Sequence, residues 1–236
     1  MIRDFTHRDE VRSVYRKRAA LYDFTANLYY LLGFRLWDHR QQAVRALHLR
    51  PGDTVVEIGC GTGLNFGLMR DAIGPTGRII GVDLTDAMLE QAAGRVRKQN
   101  WDNVTLVQSS AAAFEFPSNL NGVISTFALT LEPGYATVIK RAEQALRPGG
   151  RLVVADIRLP PGWLRYLAPL MIWLVRPFAV SMAVAKRRPW DVMRETLAEY
   201  RYLPRYFGIG YIASGRAISD ASQVSENIRG TPAPTN

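Results

Sequence analysis

Apolar positions along this chain change period several times. Between residues 9 and 30, Val11, Val14, Tyr15, Ala19 and Tyr22 recur at helical spacing with Arg12, Arg16 and Lys17 among them, which predicts an amphipathic helix. Gly33-Phe34 interrupts it, Leu36–Leu49 predicts a second helix, and Pro51-Gly52 closes that one. Short apolar runs then follow at Val55–Ile58, Arg78–Asp83, Asn103–Val107, Gly122–Thr126 and Arg151–Asp156, with helical stretches at Leu64–Ala72, Ala87–Lys98 and Tyr135–Leu146. Runs of this kind suit strands buried on both faces, so the order predicts an α/β chain: a parallel sheet with helices on both sides.

Beyond the fifth run, Pro160-Pro161-Gly162 leads into Trp163–Ala185, whose only charges are Arg165 and Arg176, and then into Lys186-Arg187-Arg188. A bilayer span needs about 20 apolar residues. The two arginines, with Pro169 and Pro177, cut this stretch too short. Broken helices over a substrate site are expected, with Trp163, Trp173 and Phe178 meeting a lipophilic ligand or a membrane interface; an apolar hairpin filling a core is the plainer alternative. Asp191–Glu199 predicts a helix, and Tyr202–Tyr206 with Gly208–Arg216 a closing strand pair. Ser219–Asn236 has no apolar period and is expected to be a disordered tail. The chain thus divides into an N-terminal helical cover (1–50), one α/β domain (51–218) carrying a lid-like insertion (163–200), and the tail (219–236).

Composition narrows the partners. The 236 residues suffice for one good core, and 47% hydrophobic with 22% charged residues is the balance of a globular protein. A net charge of +9 favours an anionic partner: nucleic acid, an acidic membrane surface or an acidic small molecule. Cys60 is the single cysteine, so no internal disulfide forms and no cysteine cluster holds a metal. Met1–Glu10 lacks the hydrophobic run of a secretory signal, and a cytoplasmic location is expected.

The candidate chemistry lies in Thr54–Phe66, T-V-V-E-I-G-C-G-T-G-L-N-F. Gly59, Gly61 and Gly63 follow the first strand and open a helix, a turn that lets a ligand approach the backbone. The third glycine falls one residue earlier than a G-x-G-x-x-G dinucleotide fingerprint requires. Glu57, just before the turn, would repel a pyrophosphate but suit the ammonium and sulfonium of S-adenosylmethionine (SAM). Asp83 ends the second strand 20 positions beyond Gly63, at the same sheet edge, and is expected to accept hydrogen bonds from ribose hydroxyls; its alternative is to cap the next helix, a task that Thr85 or Asp86 could perform.

The motif E-x-G-x-G-x-G, with the order of segments over residues 53–157, resembles class I SAM-dependent methyltransferases. The resemblance implies their Rossmann-like sheet and SAM as cofactor, bound by Glu57, Gly59, Gly61, Gly63 and Asp83. It also places Leu84 and Met88 on the adenine, Ser110 and Ala111 near its amino group, and Thr126 and Phe127 at the methyl-transfer side. Ser110 stands where relatives carry an acid, which removes charge assistance from that contact. Tyr15, Ala19, Tyr22 and Asp23 resemble a Tyr-rich segment that covers the pocket in such enzymes, making Tyr15, Tyr22 and Phe127 candidates for aligning the substrate; Tyr15 and Tyr22 equally suit plain core packing.

Methyl transfer at a sulfonium needs alignment and exclusion of water more than an acid–base set. The Tyr-Asp segment, the turn Thr126–Pro133 and the Trp-rich insertion resemble bacterial enzymes that methylate membrane lipids. N-methylation of an amine headgroup is the first expectation, and C-methylation of a prenylated quinone the main alternative, ahead of a soluble small molecule and of SAM binding without catalysis. An anionic membrane surface on the inner face is the expected partner. Nucleic acid is not expected, since no N-P-P-Y or D-P-P-Y follows strand four and no RNA module is visible.

Overall fold

The computed structural model of the protein describes Arg16, residues 35–159, Tyr166, Val184 and residues 186–218. Seven strands form one sheet: β1 (Thr54–Ile58), β2 (Arg78–Asp83), β3 (Val104–Gln108), β4 (Leu120–Thr126), β5 (Leu146–Ile157), β6 (Ala198–Arg205) and β7 (Gly210–Arg216), in the order β3-β2-β1-β4-β5-β7-β6. The first five are parallel, and β7 inserts antiparallel between β5 and β6. The helices are α1 (Leu36–Ala46), α2 (Phe66–Ile73), α3 (Asp86–Lys98), α4 (Tyr135–Ala145) and α5 (Pro189–Thr196).

Successive strand residues point to opposite faces, so each apolar run feeds two cores. Val55, Ile79, Ile124 and Val153 pack with Phe66, Met69 and Ala92, beneath α1, α2 and α3. Val56, Ile80, Val123 and Val154 pack with Val138, Ile139, Trp190 and Tyr211, beneath α4 and α5. The α/β expectation holds, and several boundaries move for local reasons. Helix α1 ends at Ala46 because His48 takes a left-handed turn, φ 53°. Helix α2 starts at Phe66, since residues 59–65 are consumed by the glycine turn. Strand β5 begins at Leu146 and runs through Arg147-Pro148-Gly149-Gly150, with a bulge opposite Leu120 and Gly122. Helix α5 begins at Pro189, where the missing N–H is no loss, and stops at Thr196 because Ala198 already enters β6.

Of the cover, only Arg16 and residues 35–50 are described; Tyr15 and Tyr22 lie outside the described residues, as do most of the insertion and all of 219–236. Arg16 pairs with Asp86 in the first turn of α3. At the other end of the insertion, Arg187 donates to the Thr130 carbonyl at 2.6 Å and Arg188 pairs with Asp191 at 2.7 Å. Two of the three cations in Lys186-Arg187-Arg188 therefore serve contacts within the fold.

Candidate active site

The strand order reverses between β1 and β4, and the C-terminal ends of β1 to β4 line one cavity that is open to solvent. This is where a parallel α/β sheet leaves a crevice. Gly59, Gly61 and Gly63 have φ of 68°, 54° and 76°, so the turn adopts a left-handed path open to glycine. A Cβ on Gly59 would lie 2.2 Å from the Ala128 Cβ, whereas one on Gly61 would meet no protein atom within 4 Å. Gly61 thus presents bare backbone to the cavity.

Asp83 holds that backbone. One carboxylate oxygen accepts from Gly61 N–H and the other from Thr85 N–H, both at 2.8 Å. Asp83 thus also orders Thr85, the residue that precedes α3 and whose own side chain makes no cap bond. Burial raises its pKa, against which the backbone donors pull it down. Leu84 and Met88 line the cavity beside Asp83, and Ser109, Ser110 and Ala111 line it after β3. The Ser110 hydroxyl accepts Ala113 N–H at 3.2 Å, so it helps to close its own turn as well as facing the cavity.

Thr126 and Phe127 close the far side, with Ala128, Leu129, Leu131 and Glu132. Phe127 has φ 57°, a conformation that costs a non-glycine residue about 1–2 kcal/mol and holds its ring at the cavity wall. Arg40 of α1 reaches in beneath: its guanidinium lies 5.2 Å from the Phe127 ring centroid and donates to Thr126 Oγ1 at 2.7 Å. Asn65 donates to the same oxygen at 2.9 Å and to Glu57 Oε1 at 2.5 Å. With two donors on its oxygen, the Thr126 hydroxyl keeps its own hydrogen to give.

Two of the expected cofactor residues stand back from the cavity. Glu57 is 1% exposed and touches it only through Asn65 and Thr126. Burial pushes its carboxyl up to about 8, with Arg40 opposing. Gly63 is buried against Phe66, whose ring would meet an added Cβ at 2.6 Å; its role is packing of α2 on the sheet. Arg40 and Asn65 were not foreseen from the sequence. A helical period marks which face is buried but not which polar side chain on it turns toward a ligand. Among the described residues no group of His, Cys, Asp or Glu is arranged to hold a metal ion.

The donor set fits SAM: an apolar slot at Leu84, Met88 and Ala111 for adenine, a carboxylate with spare lone pairs at Asp83 for a diol, bare backbone at Gly61, and a buried cation at Arg40 for a carboxylate. Fold and site together define a class I SAM-dependent methyltransferase. Residues 4–202 match the model of the ubiE/COQ5 methyltransferase family, and the chain belongs to that family. It is 29% identical over 178 residues to a demethylmenaquinone methyltransferase of Listeria welshimeri, covering 70% of this chain and 73% of the relative. It is also 29% identical to one of Symbiobacterium thermophilum over 204 residues, 81% of this chain and 79% of that one. A SAM dependent methyltransferase from Aquifex aeolicus superposes with a TM-score of 0.53 at 15% identity, covering 76% of this chain and 89% of the other.

Proposed function

We propose that the protein transfers a methyl group from SAM to a ring carbon of a reduced prenylated quinone at a membrane surface. The observation that carries this is the wall beyond β4. Phe127, Ala128, Leu129 and Leu131 offer an apolar surface with one aromatic ring over which the Arg40 guanidinium already lies, so a flat hydroxylated ring fits there better than a second cation. Relatives named demethylmenaquinone methyltransferase support the same choice. Quinone C-methylation therefore ranks above the amine-headgroup N-methylation that the sequence alone put first.

In this reading SAM supplies an electrophilic methyl group on a sulfonium. Asp83 and the Gly61 backbone fix the adenosine end, Arg40 and the Thr126 hydroxyl fix the amino-acid end, and Phe127 stacks the acceptor ring. Glu132, which lines the same wall and accepts Gly134 N–H at 3.0 Å, is the group we assign to take up the proton that the ring releases.

The test is incubation with methyl-labelled SAM and either a chemically reduced demethylated naphthoquinone bearing a prenyl tail or phosphatidylethanolamine, each in detergent micelles. Label is expected in the quinone fraction. Label confined to the amine lipid would overturn the reading.

A further inference from the structure

The turn between β6 and β7 carries an unusual exposure. Tyr206 and Phe207 have φ of 51° and 55°, followed by Gly208 at 84°, and this left-handed path holds the Phe207 side chain 90% exposed. A strained turn that lifts a large apolar ring into solvent gains nothing from packing within the chain. Leu203 and Trp37 are also about half exposed. The Tyr206 hydroxyl donates to the Arg35 carbonyl at 2.7 Å, which joins this turn to the start of α1, two residues from Trp37.

Cations accompany these rings. Along β6, Arg201, Leu203 and Arg205 share one face by strand alternation; Arg201 is exposed, and the Arg205 guanidinium lies 5.8 Å from the Tyr206 ring centroid. The patch is also connected inward. His39 packs 5.7 Å from Tyr206 and 5.3 Å from Phe127, so one continuous row of rings runs from the exposed turn to the wall of the cavity.

We propose that Phe207, Trp37 and Leu203, flanked by Arg201 and Arg205, form the surface that docks on an anionic lipid bilayer and set the cavity mouth over the acceptor. Apolar rings enter the headgroup boundary while arginines pair with anionic lipids, and the chain's charge of +9 has the complementary sign. This rests on the membrane-resident acceptor proposed above, yet docking is measurable without any acceptor. Co-sedimentation of the full chain with phosphatidylglycerol vesicles, with pure phosphatidylcholine as control, should show binding to the first that salt releases. Phe207→Asn combined with Trp37→Gln should weaken vesicle binding at least tenfold; asparagine tolerates the left-handed turn, and an unchanged melting temperature will show that the variant folds. Methylation of a long-tailed quinol in vesicles should fall, and that of a tailless, water-soluble quinol should not.

Equal sedimentation of variant and wild type, or equal binding to neutral vesicles, overturns the proposal. So does a wild-type dimer that becomes monomeric in the variant with vesicle binding intact, since the patch would then join two copies. Docking that depends on Phe207 in a protein that methylates no quinol keeps this surface and removes only the acceptor assignment.

Discussion

Glu57 shows how burial can change what a residue does at fixed sequence position. Its place before the glycine turn pointed to charge attraction for a cationic ligand, but the folded chain removes it from water and links it to the cavity only through Asn65, which bridges it to Thr126 in the wall. With its carboxyl at about 8 against an ordinary 4.5, the folded state keeps a proton that the unfolded state has lost, so folding stability falls as pH rises between those values. Asp156, raised from 3.8 to about 6 by burial, adds the same slope at lower pH. His39, lowered from 6.5 to about 4 by burial and by Arg205 and Arg40, contributes the opposite slope between 4 and 6.5. From pH 6.5 to 8 the Glu57 contribution stands clear of these two. The wild-type melting temperature should fall across that window and the curve of Glu57→Gln should be flatter. A flat wild-type curve would mean that Arg40 keeps Glu57 ionised. Asp83, by contrast, was legible in the sequence, because the distance from Gly63 leaves room for only one helix and one return strand before the same sheet edge.

At the scale of elements, strands were easier to foresee than helix ends. A run such as Val55–Ile58 or Ile79–Val82 declares itself by apolar residues alone, while the start of α2 depends on how many residues the glycine turn uses. Asn65 explains part of that difference. It occupies the N-cap position of α2 yet makes no side-chain cap bond: its Oδ1, the atom a cap would use, accepts from Arg40 at 3.3 Å, while its Nδ2 donates to Glu57 and Thr126. A residue that reads as punctuation at the right place is thus also the bridge between β1, β4 and α1, which capping preference does not reveal. Asn65→Ala leaves Glu57 and Thr126 short of a donor, at a cost of roughly 1–3 kcal/mol for a buried polar group left unpaired. At about 2–4 °C per kcal/mol for a chain of this size, the melting temperature should drop by several degrees, and SAM affinity should fall with it. A variant that melts like the wild type and binds SAM equally well would show the bridge to be dispensable.

Across the whole molecule, the cavity lies at the C-terminal ends of β1 to β4, four neighbours in the sheet, and a ligand there would contact the loops that follow all four. The sheet order was only partly legible: alternating strands and helices imply a parallel sheet, but the antiparallel β7 between β5 and β6 follows from the return of the chain after the insertion, which no local pattern encodes. Binding at such a junction should stabilise the folded state by mass action. S-adenosylhomocysteine at a hundredfold excess over its Kd should add about 2.7 kcal/mol, which corresponds to a rise in melting temperature of roughly 5–10 °C. Asp83→Asn keeps the size of the side chain but weakens its hold on Gly61 N–H and its pull on a ribose diol, so at the same ligand concentration the shift should shrink to a small fraction of the wild-type value. NADH should give no shift with either protein, because the glycine turn lacks the G-x-G-x-x-G spacing that seats a pyrophosphate. A large NADH shift, or an undiminished S-adenosylhomocysteine shift in Asp83→Asn, would overturn the assignment of this cavity.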